Sequence, residues 1–378
     1  MAKYDLVVPT LFGMEAVAAR EIHELGYETA TEDGRVIFKG DDEAICRCNL
    51  WIRSGERVLI MAGRFEATTY DDLFEKTKVI PWHELIPGDG NFSVNGHSLN
   101  SKLYSVRDLQ SIIQKAVVES MKRKYPDTEW FDGRNGVYKI EFLLLKNIMT
   151  LMIDTTGDAL HKRGYRETAG EAPLRESLAA AMVMLSYWKS ARPFLDPFCG
   201  SGTIPIEAAM IGANIAPGLN RRFVCEDWCT LPTKYWNDAR KEARESEKRD
   251  VMMQIEGSDV DGSMIELAIA CAKKAGVNKY IRFDRRDIKN IAPRGEYGSI
   301  ICNPPYGLKI LDLEEAETIY AEMGKVFRKL PTWSVYVLTP DEKFEELYGK
   351  KAAKKRKLYN GKIKCDLYQY PGPKPPYV

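Results

Sequence analysis

No CxxC pair and no Cys-His ladder runs through this sequence, although eight cysteines occur in its 378 residues: Cys46, Cys48, Cys199, Cys225, Cys229, Cys271, Cys302 and Cys365. The four histidines, His23, His83, His97 and His161, are too scattered to complete a ligand set. Free thiols in a reducing cytoplasm and no structural metal are therefore expected, with Cys46 and Cys48 in a buried segment. No apolar stretch is long enough to span a membrane, and "MAKYDLVVPT" lacks the character of a secretory signal. An excess of one charge is also missing. A net charge of +1 excludes coating of nucleic acid by bulk electrostatics, but leaves room for local basic surfaces. Internal repeats and low-complexity tracts are absent. The length suits two or three domains.

Two textures follow one another along the chain. In "YDLVVPTLFGMEAVAAREIHELGY" a short strand around Leu6 to Val8 leads to a helix stopped at Gly26, and "GRVIFKG" alternates as a strand does. "SVRDLQSIIQKAVVESMKRKY" sets Leu109, Ile112, Ile113, Ala116, Val117 and Met121 on one helical face, with Ser105 and Asp108 at capping-box spacing. "VYKIEFLLLKNIMTLMIDTTG" reads as two strands about a Lys146-Asn147 turn. Small α/β modules are expected up to about residue 160. Beyond it, strand-turn-helix units repeat in "RPFLDPFCGSGTIPIEAAMIGANI" and "QIEGSDVDGSMIELAIACAKKAGV". Further strands follow in "YIRFDRRDIKN", "YGSIICNPPYG" and "SVYVLTPDEKFEEL". Such a series predicts a doubly wound parallel sheet with ligands at the carboxyl ends of its strands. A polar insert between Ile215 and Asp250 is expected to be partly helical and packed near that site.

The strongest cofactor signal is "DPFCGSGT", Asp196 to Thr203. Gly200 and Gly202, with Ser201 and Thr203 beside them, permit a tight turn and a close backbone approach to a ligand. The stretch is neither GxxxxGK[ST] nor GxGxxG, which disfavours a nucleoside triphosphate and a dinucleotide. Asp196 ends the first strand, where it can meet the amino group of a zwitterion, and Phe198 suits a pocket wall or a core. Asp259, or else Asp261, in "GSDVD" stands where an acid binds ribose hydroxyls. Asp287 in "RRDIKN" can accept from an adenine amino group. Three acids at consecutive strand ends around one glycine turn suit an adenosyl-amino acid, and S-adenosylmethionine fits.

"DPFCGSGT" followed by "NPPYG" resembles the Rossmann-type methyltransferases that modify exocyclic or amide nitrogens. The order "HKRGYR", "APLRESLAAAM", "DPFCGSGTIPIEAA", "NPPYG" and "KLYNGKIKC" resembles the THUMP-domain RNA methyltransferases, and among them the 23S rRNA guanine-N2 enzymes and their bacterial relatives. "NSKLYSVRDLQSIIQKAV" is similar, more loosely, to a THUMP helix region. The resemblance implies an α/β chain with a ferredoxin-like piece over 1–60, a THUMP-type RNA-binding domain over 61–160 and a Rossmann-like, doubly wound methyltransferase domain over 161–378. It also implies that Arg163, Tyr165 and Arg166 lie near the cofactor and RNA entrance, ahead of a core helix carrying Leu174, Leu178, Ala181, Met182 and Leu185. The related rRNA enzymes sometimes carry a second methyltransferase domain; this chain ends at Val378, so dual activity is not expected.

The chemistry of the elbow at Asn303, Pro304, Pro305 and Tyr306 agrees with this resemblance. An exocyclic amine on guanine or adenine is a poor nucleophile, because its lone pair is delocalised into the ring. The Asn303 side-chain carbonyl and the Pro304 backbone carbonyl can accept its two hydrogens and aim the lone pair at a methyl donor. Prolines 304 and 305 stiffen the loop and offer no competing N–H. Tyr306 is expected to stack on the base, and a base inside a helix must first be flipped out. The run "GKKAAKKRKLYNGKIK" holds eight Lys or Arg and no acid. It reads either as a solvated helix face or as an RNA contact through Lys354, Lys355, Arg356, Lys357 and Asn360. The expected activity is methylation of guanine N2 in structured RNA, 23S rRNA or its precursor first and tRNA next. Adenine-N6 methylation, a protein-amide substrate and an inactive RNA-binding or ribosome-assembly factor are the rivals. No motif speaks to oligomeric state.

Overall fold

A computed structural model describes residues 3–126, 136–166, 174–307 and 313–376. The front half is built from β1 (Tyr4–Pro9), α1 (Glu15–Glu24), β2 (Thr29–Glu32), β3 (Arg35–Gly40), α2 (Asp42–Trp51), β4 (Leu59–Glu66), α3 (Tyr70–Lys78), β5 (Asn91–Leu99), α4 (Val106–Lys122), β6 (Val137–Leu145) and β7 (Ile148–Asp154). The two small modules expected from the sequence share one seven-stranded sheet, ordered β2-β3-β1-β4-β7-β6-β5. Strand β4 joins them, antiparallel to β1 on one side and to β7 on the other. Lys146 and Asn147 form the β6–β7 turn, both with positive φ (51° and 67°). Ser105 caps α4 by accepting the Asp108 N–H at 3.4 Å, and the helix buries Leu109, Ile113, Ala116, Val117 and Met121 as its period requires.

The second half comprises α5 (Glu176–Leu185), β8 (Phe194–Asp196), α6 (Thr203–Gly212), α7 (Thr233–Glu245), β9 (Ile255–Asp259), α8 (Gly262–Lys274), β10 (Ile281–Arg285), β11 (Ser299–Cys302), α9 (Leu313–Phe327), β12 (Ser334–Thr339), α10 (Phe344–Tyr348), β13 (Lys354–Asn360) and β14 (Ile363–Tyr370). Its sheet runs β10-β9-β8-β11-β12-β14-β13. The first five of these strands are parallel, as the strand-turn-helix repeats require. Strand β14 inserts antiparallel between β12 and β13. Order reverses between β8 and β11, so the switch point that collects ligands in such sheets lies between the DPF and NPPY ends.

Two expectations need correction. The basic run is not a helix face: its core is strand β13, which buries Leu358 against Leu367 and Cys365 of β14. The insert over 215–250 is partly helical but does not pack near the site. Its Phe223, Cys225, Trp228, Leu231 and Trp236 join the front half's apolar core, with Trp228 stacked 4.5 Å from Tyr138. Apolar rings at the base of a polar segment seek the nearest large apolar surface, and here that surface belongs to the other sheet.

Candidate active site

Strand β8 ends at Asp196, which is 1% exposed. One carboxylate oxygen accepts the Phe198 N–H at 3.1 Å; the other is buried without a partner. Burial drives this carboxyl well above the ordinary carboxylate range and neighbouring Asp259 adds to the rise, against the Phe198 N–H. A buried, unsatisfied carboxylate calls for a cationic partner. An α-ammonium group fits that demand. The glycine turn follows. Gly202 caps α6 in the left-handed region (φ 80°), and a Cβ there would press on Phe283 and Ala268 at 3.0 Å. Gly200 is also left-handed (φ 49°), yet a Cβ there would meet nothing within 4 Å, so the turn leaves space above its backbone.

Asp259, at the end of β9, accepts the Gly200 N–H at 3.0 Å and the Asp261 N–H at 3.0 Å. It therefore ties the second strand end to the glycine turn. Asp261 is exposed and caps α8 through Ser263, which favours Asp259 of the two for a ligand. Asp287 caps the turn after β10 with one oxygen, on Lys289 N at 2.8 Å. Phe198 packs half-buried against the cluster of Leu195, Ile288 and Ile300. Ser201 and Thr203 hydroxyls lie 3.3 Å apart.

Beyond β11 the elbow is fastened from two sides. Tyr320 of α9 donates to the Pro305 carbonyl at 2.8 Å and meets Thr339 Oγ1 at 3.0 Å. Tyr306, half-buried, donates its hydroxyl to Asn303 Oδ1. That hydroxyl in turn accepts from Asn360 Nδ2 at 3.4 Å and from Cys365 Sγ at 3.6 Å. A hydroxyl has one proton and two lone pairs, so two donors on its oxygen commit the proton to Asn303. The amide oxygen of Asn303 is thereby fixed in orientation and keeps a second lone pair. Among the described residues no group donates to the Pro304 carbonyl. Burial holds the Tyr306 phenol well above its ordinary pKa, so it remains a donor. The ring packs partly buried against the apolar core of the catalytic half while its hydroxyl braces Asn303, which departs from a free stacking surface.

The residues expected at an RNA entrance divide. Arg163 and Tyr165 are buried, at 5% and 4% exposure. Both reach fully buried Glu207 of α6, at 3.5 Å and 3.1 Å, and Arg163 also donates to the Leu160 and Arg53 carbonyls at 2.6 Å each. They are interior ties, because an uncompensated Glu207 would be costly under α6. Arg166 pairs with Glu176 at 2.6 Å and reaches Thr203 Oγ1 at 3.3 Å, which braces the start of α6. Positions 167–173 of that segment lie outside the described residues. On β13, Lys354 and Lys357 are exposed, Lys355 pairs with Glu345 at 2.8 Å, and Arg356 donates to the Gly13 carbonyl at 2.8 Å. Asn360 serves Tyr306. Tyr320, Cys365 and Phe283 escaped the sequence reading; only the spacing of Ala316, Tyr320, Met323 and Phe327 on a helix could have flagged Tyr320 as inward-facing.

Three family models match this chain: the RlmL ferredoxin-like domain over residues 5–59, the THUMP domain over 67–154 and the RMKL-like methyltransferase domain over 163–369. A Bacillus subtilis (strain 168) protein named as a candidate RNA methyltransferase, YpsC, is 48% identical over 371 residues, 98% of this chain and 96% of that one. The ribosomal RNA large subunit methyltransferase K/L of Psychromonas ingrahamii is 33% identical over 380 residues. That match covers 98% of this chain but 51% of the relative, about half its length. The solved structure of SMU.472, named as a candidate methyltransferase and complexed with SAH, superposes with a TM-score of 0.94 at 41% identity, covering 99% of this chain and 100% of that one. Ferredoxin-like, THUMP and methyltransferase modules thus follow one another in the order of one group, and the chain belongs to the family of RMKL-like RNA methyltransferases that carry ferredoxin-like and THUMP modules.

Proposed function

We propose that this protein transfers a methyl group from S-adenosylmethionine to guanine N2 of 23S rRNA or its precursor. The observation that carries the reading is the braced elbow. Asn303 Oδ1, oriented by Tyr306, and the Pro304 carbonyl stand at the sheet's switch point, one strand from the unsatisfied Asp196. SAH bound to SMU.472 and the name of the K/L relative support the donor and the substrate class.

Asp196 would hold the α-ammonium, Asp259 the ribose hydroxyls and Asp287 the adenine amino group, with the Gly200–Thr203 turn and Phe198 lining the space between. When bound, S-adenosylmethionine supplies an electrophilic sulfonium methyl. Asn303 and Pro304 accept the two hydrogens of the exocyclic amine, and the pair localises its lone pair toward that methyl. Nitrogen forms the new N–C bond, the S–C electrons return to sulfur, and the amine proton passes to water once the nitrogen is positively charged. No strong base is required. The front sheet would deliver structured RNA by shape and phosphate contacts.

The test is transfer of labelled methyl to RNA from a strain lacking the protein, with the nucleoside identified by mass spectrometry. Label as N2-methylguanosine in large-subunit rRNA is expected. Label confined to tRNA or to N6-methyladenosine would replace the substrate, and no transfer to any RNA would overturn the reading. Asn303→Ala should lower the rate on the order of a hundredfold or more, as loss of one oriented polar group does at such sites, with S-adenosylhomocysteine binding retained.

A further inference from the structure

We propose that Phe12 and Tyr359 form a stacking platform for an RNA base flanking the target nucleotide, with the lysines of the β13–β14 hairpin holding the adjoining phosphates. The proposal rests on the RNA methyltransferase reading and deepens it, because it gives the first domain a direct part in presenting the substrate. Phe12 lies between β1 and α1 and is 59% exposed. A lone exposed ring is ordinary, but this one is held. The Gly13 and Gly34 N–H groups donate to the two Glu15 carboxylate oxygens at 2.9 Å and 3.1 Å. Gly13 is left-handed (φ 89°), and a Cβ there would fall 2.3 Å from the Lys357 carbonyl, so the loop lies directly on the edge of β13. Arg356 Nε locks the same point by donating to the Gly13 carbonyl at 2.8 Å. The Phe12 ring then stands edge-on to Tyr359, with centroids 6.2 Å apart and planes at 62°.

Charge sets the kind of partner. Lys357 and Tyr359 share one face of β13 by alternation, and Lys364 lies directly across from Tyr359. Lys354, Lys357, Lys362 and Lys364 are exposed, and none forms an ion pair among the described residues. Of the acids near this hairpin, Asp366 lies across from Lys357, Glu345 is taken up by Lys355, and Glu342 also acts on Lys355. Lys357, Lys362 and Lys364 beside two held rings, with Lys354 on the opposite face of the strand, match the combination that binds single-stranded nucleic acid, in which bases stack and phosphates are neutralised. The strand end lies by the elbow: Asn360, which follows Tyr359 and faces the other side of β13, contacts the Tyr306 hydroxyl that orients Asn303.

The experiment measures binding and methylation of rRNA from a strain lacking the protein, using Phe12→Ala, Tyr359→Ala, the double variant and Phe12→Trp. Each alanine variant should raise the Kd and KM for RNA about tenfold, within the range for removing one stacked base contact. kcat at saturating RNA, thermal stability and S-adenosylhomocysteine binding should hold. Phe12→Trp should restore affinity, which a purely structural role for Phe12 in the loop would not require. Wild-type Kd and KM in the double variant would overturn the platform and leave the methyltransferase reading standing. A wild-type chain that neither binds nor methylates RNA would overturn both.

Discussion

Asp196 shows what one side chain decides. Its folded-state pKa is raised by burial, so the unliganded protein holds that proton more tightly than the unfolded chain does. The sign follows: ionising Asp196 costs stability as pH rises above the ordinary aspartate value of about 3.9. An α-ammonium bound there, as proposed, would reverse the preference by stabilising the carboxylate. S-adenosylmethionine affinity should therefore weaken as pH falls toward the raised pKa, and calorimetric titrations across pH should show it. Asp196→Asn should flatten that dependence and weaken binding on the order of tenfold to a hundredfold, the worth of one charged hydrogen bond. An unchanged pH profile in the variant would assign the ammonium to another group. The glycines and Asn303 were legible in the sequence because their chemistry is local: turn conformation, amide geometry, proline stiffness. Arg163 and Tyr165 were not, because what buries them is Glu207, 44 and 42 residues away.

The basic hairpin marks the limit of legibility for an element. A run dominated by lysine has no period to distinguish helix from strand, and the deciding residues are Leu358, Cys365 and Leu367, spread over two strands. The parallel strands were easier, since most end in a turn motif and the central ones, β8, β11 and β12, bury both faces. Strand β13 is also an edge, and unpaired edges invite association. The loop through Gly13 covers it, at a contact only glycine allows. Gly13→Ala places a side chain at φ 89° and 2.3 Å from the Lys357 carbonyl. About 1–3 kcal/mol of stability should be lost, the range for one forced backbone conformation, measurable as a lower urea midpoint with unchanged slope. A midpoint equal to wild type would mean that the loop lifts freely from the hairpin.

The whole molecule is held by polar ties that cross between the halves, and these left no trace in either half's own pattern. Glu56, just ahead of β4, accepts from His161 Nδ1 at 3.1 Å, Arg175 at 3.1 Å and Ser177 Oγ at 3.0 Å. Arg47 of α2 grips Glu242 of α7 with two bonds of 2.9 Å. The stacked Phe223 and Trp236 complete the front core from the catalytic half's insert. A catalytic half cut away at residue 161 would expose those rings, so the two halves should unfold together. Calorimetry on the full chain should give one transition, and two well-separated ones would refute the coupling. Acid tests the polar part. Burial pushes the Glu56 carboxyl up, but the His161 hydrogen bond and the charges of His161 and Arg175 outweigh it, leaving the pKa lowered. Its contribution is thus present above the unfolded glutamate value of about 4.3 and lost as pH falls through the folded value. Glu56→Gln should be less stable than wild type at pH 7, and the difference should shrink steadily below about pH 4. Urea unfolding of both proteins across that range reads the gap directly, and a gap that stays constant with pH would remove Glu56 from the interface's acid response.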